Sequence, residues 1–167
     1  MREIRIEKVV VNIGVGEGGE KLAKAETLLG KLTNQKPLRT YAKKTIKPWG
    51  IRKGQPIGCK VTLRGEKAIE FLKSALYAVD YKIKRKSICD GTFSIGIKEH
   101  IFLPGVKYDP KIGVFGMDVC VSLERPGFRI KRRKIGRRKI PKRHRITSDE
   151  VVKFLQEKFN VEVIEEE

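Results

Sequence analysis

The chain has 167 residues, a size suited to one domain or one domain with an appendage, and 38 Lys or Arg against 20 Asp or Glu give it a formal net charge of +18. Hydrophobic residues at 40% are enough for a core, and aromatics at 7% make that core mainly Ile, Val and Leu. The charge excess points to an anionic partner, with nucleic acid the usual one, and the absence of a long basic amphipathic helix with a continuous apolar face argues against an anionic membrane surface.

Ile4 and Ile6, then Val9, Val11 and Ile13, alternate with polar residues, so the chain opens on a long strand with a change of phase near Lys8, a bulge or a break. The glycine cluster at 14–19 ends it. Leu22, Ala25, Leu29 and Leu32 then share one helical face, and the proline at position 37 closes that helix over 34–37. A second strand is predicted over 38–42, followed by a loop or hairpin tip at 43–58 that holds Pro48, Gly50, Gly54, Pro56 and Gly58. A strand resumes at 60–64, with Val61 and Leu63 one way and Lys60, Thr62 and Arg64 the other. A second amphipathic helix spans 66–76.

Asp90-Gly91 marks a turn before the alternating Phe93, Ile95 and Ile97. Residues 101–103 are short and apolar, and 104–113 read as loop. Met117, Val119, Val121 and Leu123 alternate again until Pro126-Gly127. Thr147 with Glu150 three residues on forms a capping box that opens a last helix, with Val151, Val152, Leu155 and Phe159 on its apolar face and Asn160 at its end. The order of elements predicts an α+β fold, a two-layer sandwich of a mostly antiparallel sheet with helices on one face, a long basic hairpin loop and a basic C-terminal extension. The expected division is 1–128 as the α+β domain, with a mobile loop at 43–58, and 129–167 as a basic RNA-binding segment plus a C-terminal helix packed on the same domain. The uncovered sheet face, carrying Asn12, Thr62 and Arg64, is the expected surface for an RNA helix.

Charge is concentrated in two acid-free runs. Eleven Lys or Arg lie within 129–145: Arg129, Lys131, Arg132, Arg133, Lys134, Arg137, Arg138, Lys139, Lys142, Arg143 and Arg145. Ten more lie between Glu26 and Glu66. Such density repels itself unless it stays solvated or meets a polyanion. Ile130, Ile135 and Ile140 inside the first run, Ile146 directly after it, and the capped helix that follows favour a segment that orders against RNA over a disordered tail. In the second run Trp49 stands among Lys43, Lys44, Lys47, Arg52 and Lys53, a pairing of phosphate-neutralising cations with a ring able to stack on a base.

Other motifs reduce to bland readings. Gly14, Gly16 and Gly19 spell G-x-G-x-x-G between a strand and a helix, yet no acid follows at the ribose-binding distance and no alternating βαβαβ pattern exists, so a glycine-rich turn is favoured over a dinucleotide site. The turn could still offer backbone amides to a phosphate. Cys59, Cys89 and Cys120 are far apart with no C-x-x-C, which disfavours a zinc site and predicts buried or half-buried thiols. His100 and His144 lie in no nucleophile arrangement, and no carboxylate pair stands in an acid–base setting. No catalysis, metal or cofactor is expected. No signal peptide, lipidation motif or membrane-length apolar span is seen.

Taken together, Val10-Val11-Asn12-Ile13-Gly14-Val15-Gly16-Glu17, Leu32-Thr33-Asn34-Gln35-Lys36-Pro37, Ala42-Lys43-Lys44-Thr45-Ile46, the run 51–65, Ser94-Ile95-Gly96-Ile97-Lys98-Glu99-His100 and Gly116-Met117-Asp118 resemble the ordered motifs of one family, the universal large-subunit ribosomal protein L-five, across nearly the whole chain. Arg125-Pro126-Gly127-Phe128, Lys142-Arg143-His144-Arg145-Ile146 and the terminal helix are similar to its archaeal and eukaryotic branch. Asn34 departs from the glycine that many members carry. The resemblance implies a cytoplasmic, noncatalytic protein that binds 5S rRNA and large-subunit rRNA and anchors 5S rRNA in the central protuberance. It implies Asn12, Gln35 and Thr62 as polar contacts to 5S rRNA, with Lys36 and Arg64 beside them, and an arm at 43–58 that reaches the peptidyl-site tRNA. It implies ribosomal protein L-eighteen as a neighbour and small-subunit protein S-thirteen as a partner in an intersubunit bridge, for which the turn near Asp90-Gly91 is the candidate. The alternatives are a nonspecific nucleic-acid-compacting protein and, more remotely, a nicotinamide enzyme.

Overall fold

Alternation and helical spacing translate directly into elements in the computed structural model, which describes residues 1–165. The strands are β1 (Arg5–Gly14), β2 (Leu38–Tyr41), β3 (Pro56–Leu63), β4 (Lys82–Lys84), β5 (Ile88–Cys89), β6 (Thr92–Ile97), β7 (Met117–Glu124) and β8 (Glu162–Ile164). The helices are α1 (Glu20–Thr33), α2 (Glu66–Ala78) and α3 (Ser148–Phe159). A mostly antiparallel six-stranded sheet has the order β2-β3-β1-β7-β6-β5, and β4 pairs in parallel with β8 in a separate ladder. The fold is α+β, as the sequence predicts.

The described residues group into two units, and β1, β6 and β7 contribute residues to both. One unit comprises Val10–Leu63 and Gly96–Val119. Its core is built from the inward phase of β1 (Val11, Ile13) and β3 (Cys59, Val61, Leu63) with the buried stripe Leu22, Ala25, Leu28 and Leu29 of α1, which packs on β3. Gly58 permits this assembly. A Cβ there would stand 2.8 Å from the Ile13 carbonyl oxygen and 2.9 Å from Thr40 Oγ1, inside van der Waals contact. α1 stops at Asn34, whose φ of 51° is the left-handed cap conformation. Asn is among the few non-glycine residues at ease there, so the departure from glycine leaves the turn intact.

The other unit comprises Met1–Val9, Arg64–Ile95 and the chain from Cys120 to the last described residue. Ala68, Phe71, Leu72, Ala75 and Leu76 of α2 and Val151, Phe154 and Leu155 of α3 supply its helical core, with Phe93, Ile95, Val121 and Leu123 from the strands. The capping box is present: Glu150 Oε2 accepts from the Thr147 amide at 3.0 Å, and Thr147 caps α3 in return. β1 is unbroken and its burial alternates without a shift through Glu7, Val9, Val11 and Ile13, so the change of phase near Lys8 is one of residue type, with Glu7 in the buried phase. Arg5 and Glu7 reach Glu124 and Ser122 of β7, whereas Ile4 and Ile6 line an apolar hollow with Ile69, Phe154 and Phe159.

Candidate nucleic-acid interface

Three groups of functional candidates are held by different elements. The first is the outward phase of β1 and β3. Lys60 and Thr62 are exposed between buried Cys59, Val61 and Leu63, and Asn12 is half-buried between the fully buried Val11 and Ile13. Leu38 pairs with Lys60 across β2 and β3 and is 63% exposed, so no helix covers this position. Gln35 is half-buried and Lys36 exposed in the turn behind the Asn34 cap, directly ahead of β2. Arg64 follows β3, is exposed, and donates from Nη1 to the Glu7 carbonyl at 3.4 Å. Arg39 belongs to the acid-free run, but its guanidinium is bound by Glu26, which raises its pKa. That neutralisation was not visible in the sequence, where the two residues are thirteen apart.

The glycine turn after β1 is partly spent. Val15 and Gly16 both donate their amides to the Ile57 carbonyl, at 2.9 and 2.8 Å, so these two are not free for a phosphate. Gly19, at φ 89°, is the N-cap of α1.

The second group is the tip of the β2–β3 hairpin. It carries its own hydrogen bonds. Ala42 and Gln55 pair at its base, Gly54 donates to the Ala42 carbonyl, and Ile46 and Ile51 bridge further out. A single 3-10 turn, Lys47–Trp49, closes the end on Gly50 at φ 66°. Lys43, Lys44, Lys47, Arg52 and Lys53 are all exposed, and Trp49 is 71% exposed. A large apolar ring held in water on a structured turn is unstable as packing and apt for stacking.

The third group is the basic segment, and it is anchored rather than loose. Two 3-10 turns, Phe128–Lys131 and Lys142–His144, bracket it. Phe128, Ile140 and Ile146 are buried and Ile130 is half-buried, so these side chains dock on the protein itself; Ile135 is the exception at 86% exposed. Three polar fixtures add to this. Arg132 donates to Glu7 and to Glu124, each at 2.7 Å. Arg125, almost wholly buried, donates to Glu150 and to the Arg145 carbonyl. His144 Nε2 lies 2.9 Å from the Pro126 carbonyl oxygen, and its ring meets Phe128 edge-on. Arg132 is therefore engaged by two carboxylates within the fold. Arg133, itself exposed, donates from Nε to the Gly136 carbonyl three residues on. The other cations of the segment are exposed, apart from the half-buried Lys131.

Electrostatics follow these contacts. Partial burial pushes the Glu7 carboxyl up, but the Ser122 hydroxyl and the charges of Arg132, Lys131 and Lys8 outweigh it and hold the group below its ordinary value. The Thr147 amide, with Arg125, lowers Glu150. Burial pushes the Cys59 thiol up to about 11, so it is a neutral core group. Cys89 and Cys120 are exposed, contrary to the expectation of buried or half-buried thiols. His100 is buried, with Nδ1 accepting from the Phe115 amide at 3.2 Å, a structural role. The Asp90-Gly91 turn is tied inward: Asp90 accepts from the Ser148 amide and Gly91 from the Leu123 amide. Among the described residues no cluster of His, Cys, Asp and Glu could hold a metal ion, and no helix is long and apolar enough to cross a membrane.

Residues 1–52 match the family model for ribosomal protein L5, and residues 56–155 match the model for the C-terminus of the same ribosomal family. The junction falls in the hairpin tip. The chain is 55% identical over 167 residues to the large ribosomal subunit protein uL5 of Sulfurisphaera tokodaii, covering 99% of this chain and 94% of that one. It is 55% identical to the uL5 of Nanoarchaeum equitans (98% of each chain) and 57% identical to that of Archaeoglobus fulgidus (93% of this chain, 88% of that one).

Proposed function

The chain belongs to the ribosomal protein L5 family, and on that premise we propose that it holds 5S rRNA on the open face of its sheet within the large ribosomal subunit. The family is structural and not enzymatic. As a member, the chain is a structural constituent of the cytoplasmic large subunit and associates with its rRNA.

The observation that carries the finer reading is the outward phase of β1 and β3. Asn12, Lys60 and Thr62 present an amide, an ammonium and a hydroxyl from adjacent strands, where they alternate with the buried Val11, Ile13, Cys59, Val61 and Leu63. Rigid strands fix such groups better than loops do, and RNA helices are read through shape, phosphates and 2′-hydroxyls. Gln35 and Lys36 extend the contact from the α1–β2 turn, and Arg64 from the end of β3. The exposed cations of the basic segment bind rRNA phosphates. The hairpin tip, with Trp49 at its end, touches peptidyl-site tRNA. Ribosomal protein L-eighteen and, across the intersubunit bridge, S-thirteen are the protein partners.

The test is 5S rRNA selectivity. In N12A/Q35A, competition between 5S rRNA and duplex DNA should shift about tenfold toward DNA, the loss of about 1.4 kcal/mol in polar contacts. The dependence on salt should stay the same, since no charge is removed. Unchanged selectivity would move the site off this face. A wild-type protein that does not distinguish 5S rRNA from duplex DNA would instead be a nonspecific compacting protein.

A further inference from the structure

The docked basic segment does not close flat on its own unit. It leaves a hollow of about 340 Å³ between itself and the turn before β6. This volume lies at the small end of the range for ligand sites, about 300–1,000 Å³. The floor is apolar: Leu123 and Ile146 are almost wholly buried, and Phe128 and Ile140 nearly so. The rim is cationic. Lys139 and Arg145 are exposed on it, and Lys131 lies half-buried with Nζ 5.1 Å from the centre of the Phe128 ring.

We propose that this hollow takes a single unpaired nucleotide of an RNA strand, base on the apolar floor and phosphate at the Lys131, Lys139 and Arg145 rim. The inference rests on the RNA-binding reading above and adds a specific subsite to it. A flat, largely apolar base joined to an anionic phosphate matches an apolar floor under a ring of cations. Base-paired nucleotides present neither free face, so the strand must be unstacked there. Hydrogen-bonding groups stand at the edge. Asp90 takes the Ser148 amide on Oδ1, which leaves Oδ2 to accept from a base N–H. Ser122 also lines the hollow, and because it donates its proton to Glu7 its hydroxyl oxygen can serve a ligand only as an acceptor. Lys131 rests on the Phe128 ring by a contact worth about 0.5–1 kcal/mol, weak enough for a phosphate to draw it away. Cations beyond the rim, such as Lys142 and Arg143, are placed to follow the flanking strand, which favours a nucleotide in RNA over a free one.

The experiment compares three ligands: an RNA hairpin with one bulged nucleotide, the same hairpin fully paired, and free nucleoside monophosphates. Thr92 is exposed on β6 at the lip, so T92W blocks the hollow without touching the core, and Trp suits a strand. T92W should bind the bulged hairpin about tenfold more weakly and the paired one within twofold of wild type, with an unchanged melting temperature. K131Q/K139Q should lose the same preference for the bulge. K134Q/R137Q removes as much charge away from the hollow and should weaken both hairpins alike, keeping the preference. A bulge preference equal with and without T92W would overturn the subsite while leaving 5S rRNA selectivity, measured as above, intact. Free nucleotides binding as tightly as the bulged hairpin would overturn the assignment to RNA.

Discussion

Glu7 is a carboxylate in the buried phase of β1, which is otherwise Val9, Val11 and Ile13, and it is met from three sides: by Arg132 at 2.7 Å, by the Ser122 hydroxyl at 2.9 Å, and by the Arg64 guanidinium at its carbonyl. The first of these spans 125 residues and ties the basic segment to β1. Because the folded pKa of Glu7 lies below the ordinary 4.5, its stabilisation is complete above that value and is lost as pH falls from 4.5 through the lower folded pKa. Glu150, also lowered, works in the same sense. The wild-type melting temperature should therefore fall on acidification below about pH 4.5, and E7Q should flatten that part of the curve while melting lower at pH 7. An E7Q profile parallel to wild type would mean that Glu7 is not the pin. Gly58 gives a second residue-scale expectation. The atoms that G58A would strike are the Ile13 carbonyl and the Thr40 hydroxyl, and the first is backbone that cannot swing away. Overpacking of that kind costs about 1–3 kcal/mol, read as a lower denaturant midpoint with an unchanged slope. A neutral G58A would show that β1 and β3 can separate at no cost.

At the scale of elements, what could be read from sequence was what repeats. β1, β3, β6 and β7 alternate over enough residues to declare themselves, and α3 declares its start through Thr147 and Glu150. β4 and β8, three residues each, contain too little chain for any period, and β4 follows a turn at Asp80 and Tyr81, both at positive φ, a conformation that Asp favours but that a Tyr does not announce. β5 is shorter still. The anchors of the basic segment were half legible. A lone Glu within an apolar alternation, at a change of phase, was a signal that Glu7 has a partner, but which of many arginines answers it is a tertiary fact. The Arg125–Glu150 pair offered no signal. The hairpin tip was legible in composition but not in its internal hydrogen bonds. Those bonds make a separable prediction. Neutralising Lys43, Lys44, Lys47, Arg52 and Lys53 leaves the Ala42–Gln55 pairing and the open sheet face as they are. Binding to 5S rRNA should change less than threefold, while crosslinking of the tip to peptidyl-site tRNA in assembled ribosomes should drop severalfold. Loss of 5S rRNA binding would bring the primary site into the arm.

For the molecule as a whole the governing quantity is charge that is not used internally. The net +18 includes eleven cations between 129 and 145. Arg132 is committed to the carboxylates of Glu7 and Glu124, so the segment offers fewer phosphate contacts than its sequence counts, whereas Arg133 gives only its Nε proton to the Gly136 carbonyl and keeps its charge. Cations that contact phosphate release counterions, and each one contributes about 0.7–0.9 to the slope of log affinity against log salt. A cation satisfied within the protein contributes nothing to that slope. K142Q and R143Q should each lower the slope for 5S rRNA by about 1 and leave the melting temperature unchanged, because both residues are exposed. R132Q should do the opposite, lowering the melting temperature through the loss of a bridge to two carboxylates. Its slope should stay near wild type at temperatures where the variant remains folded. Equal slopes for all three variants would mean that the segment lies off the RNA. A full unit of slope lost in R132Q, with no loss of stability, would mean that Arg132 leaves Glu7 to meet a phosphate when RNA binds.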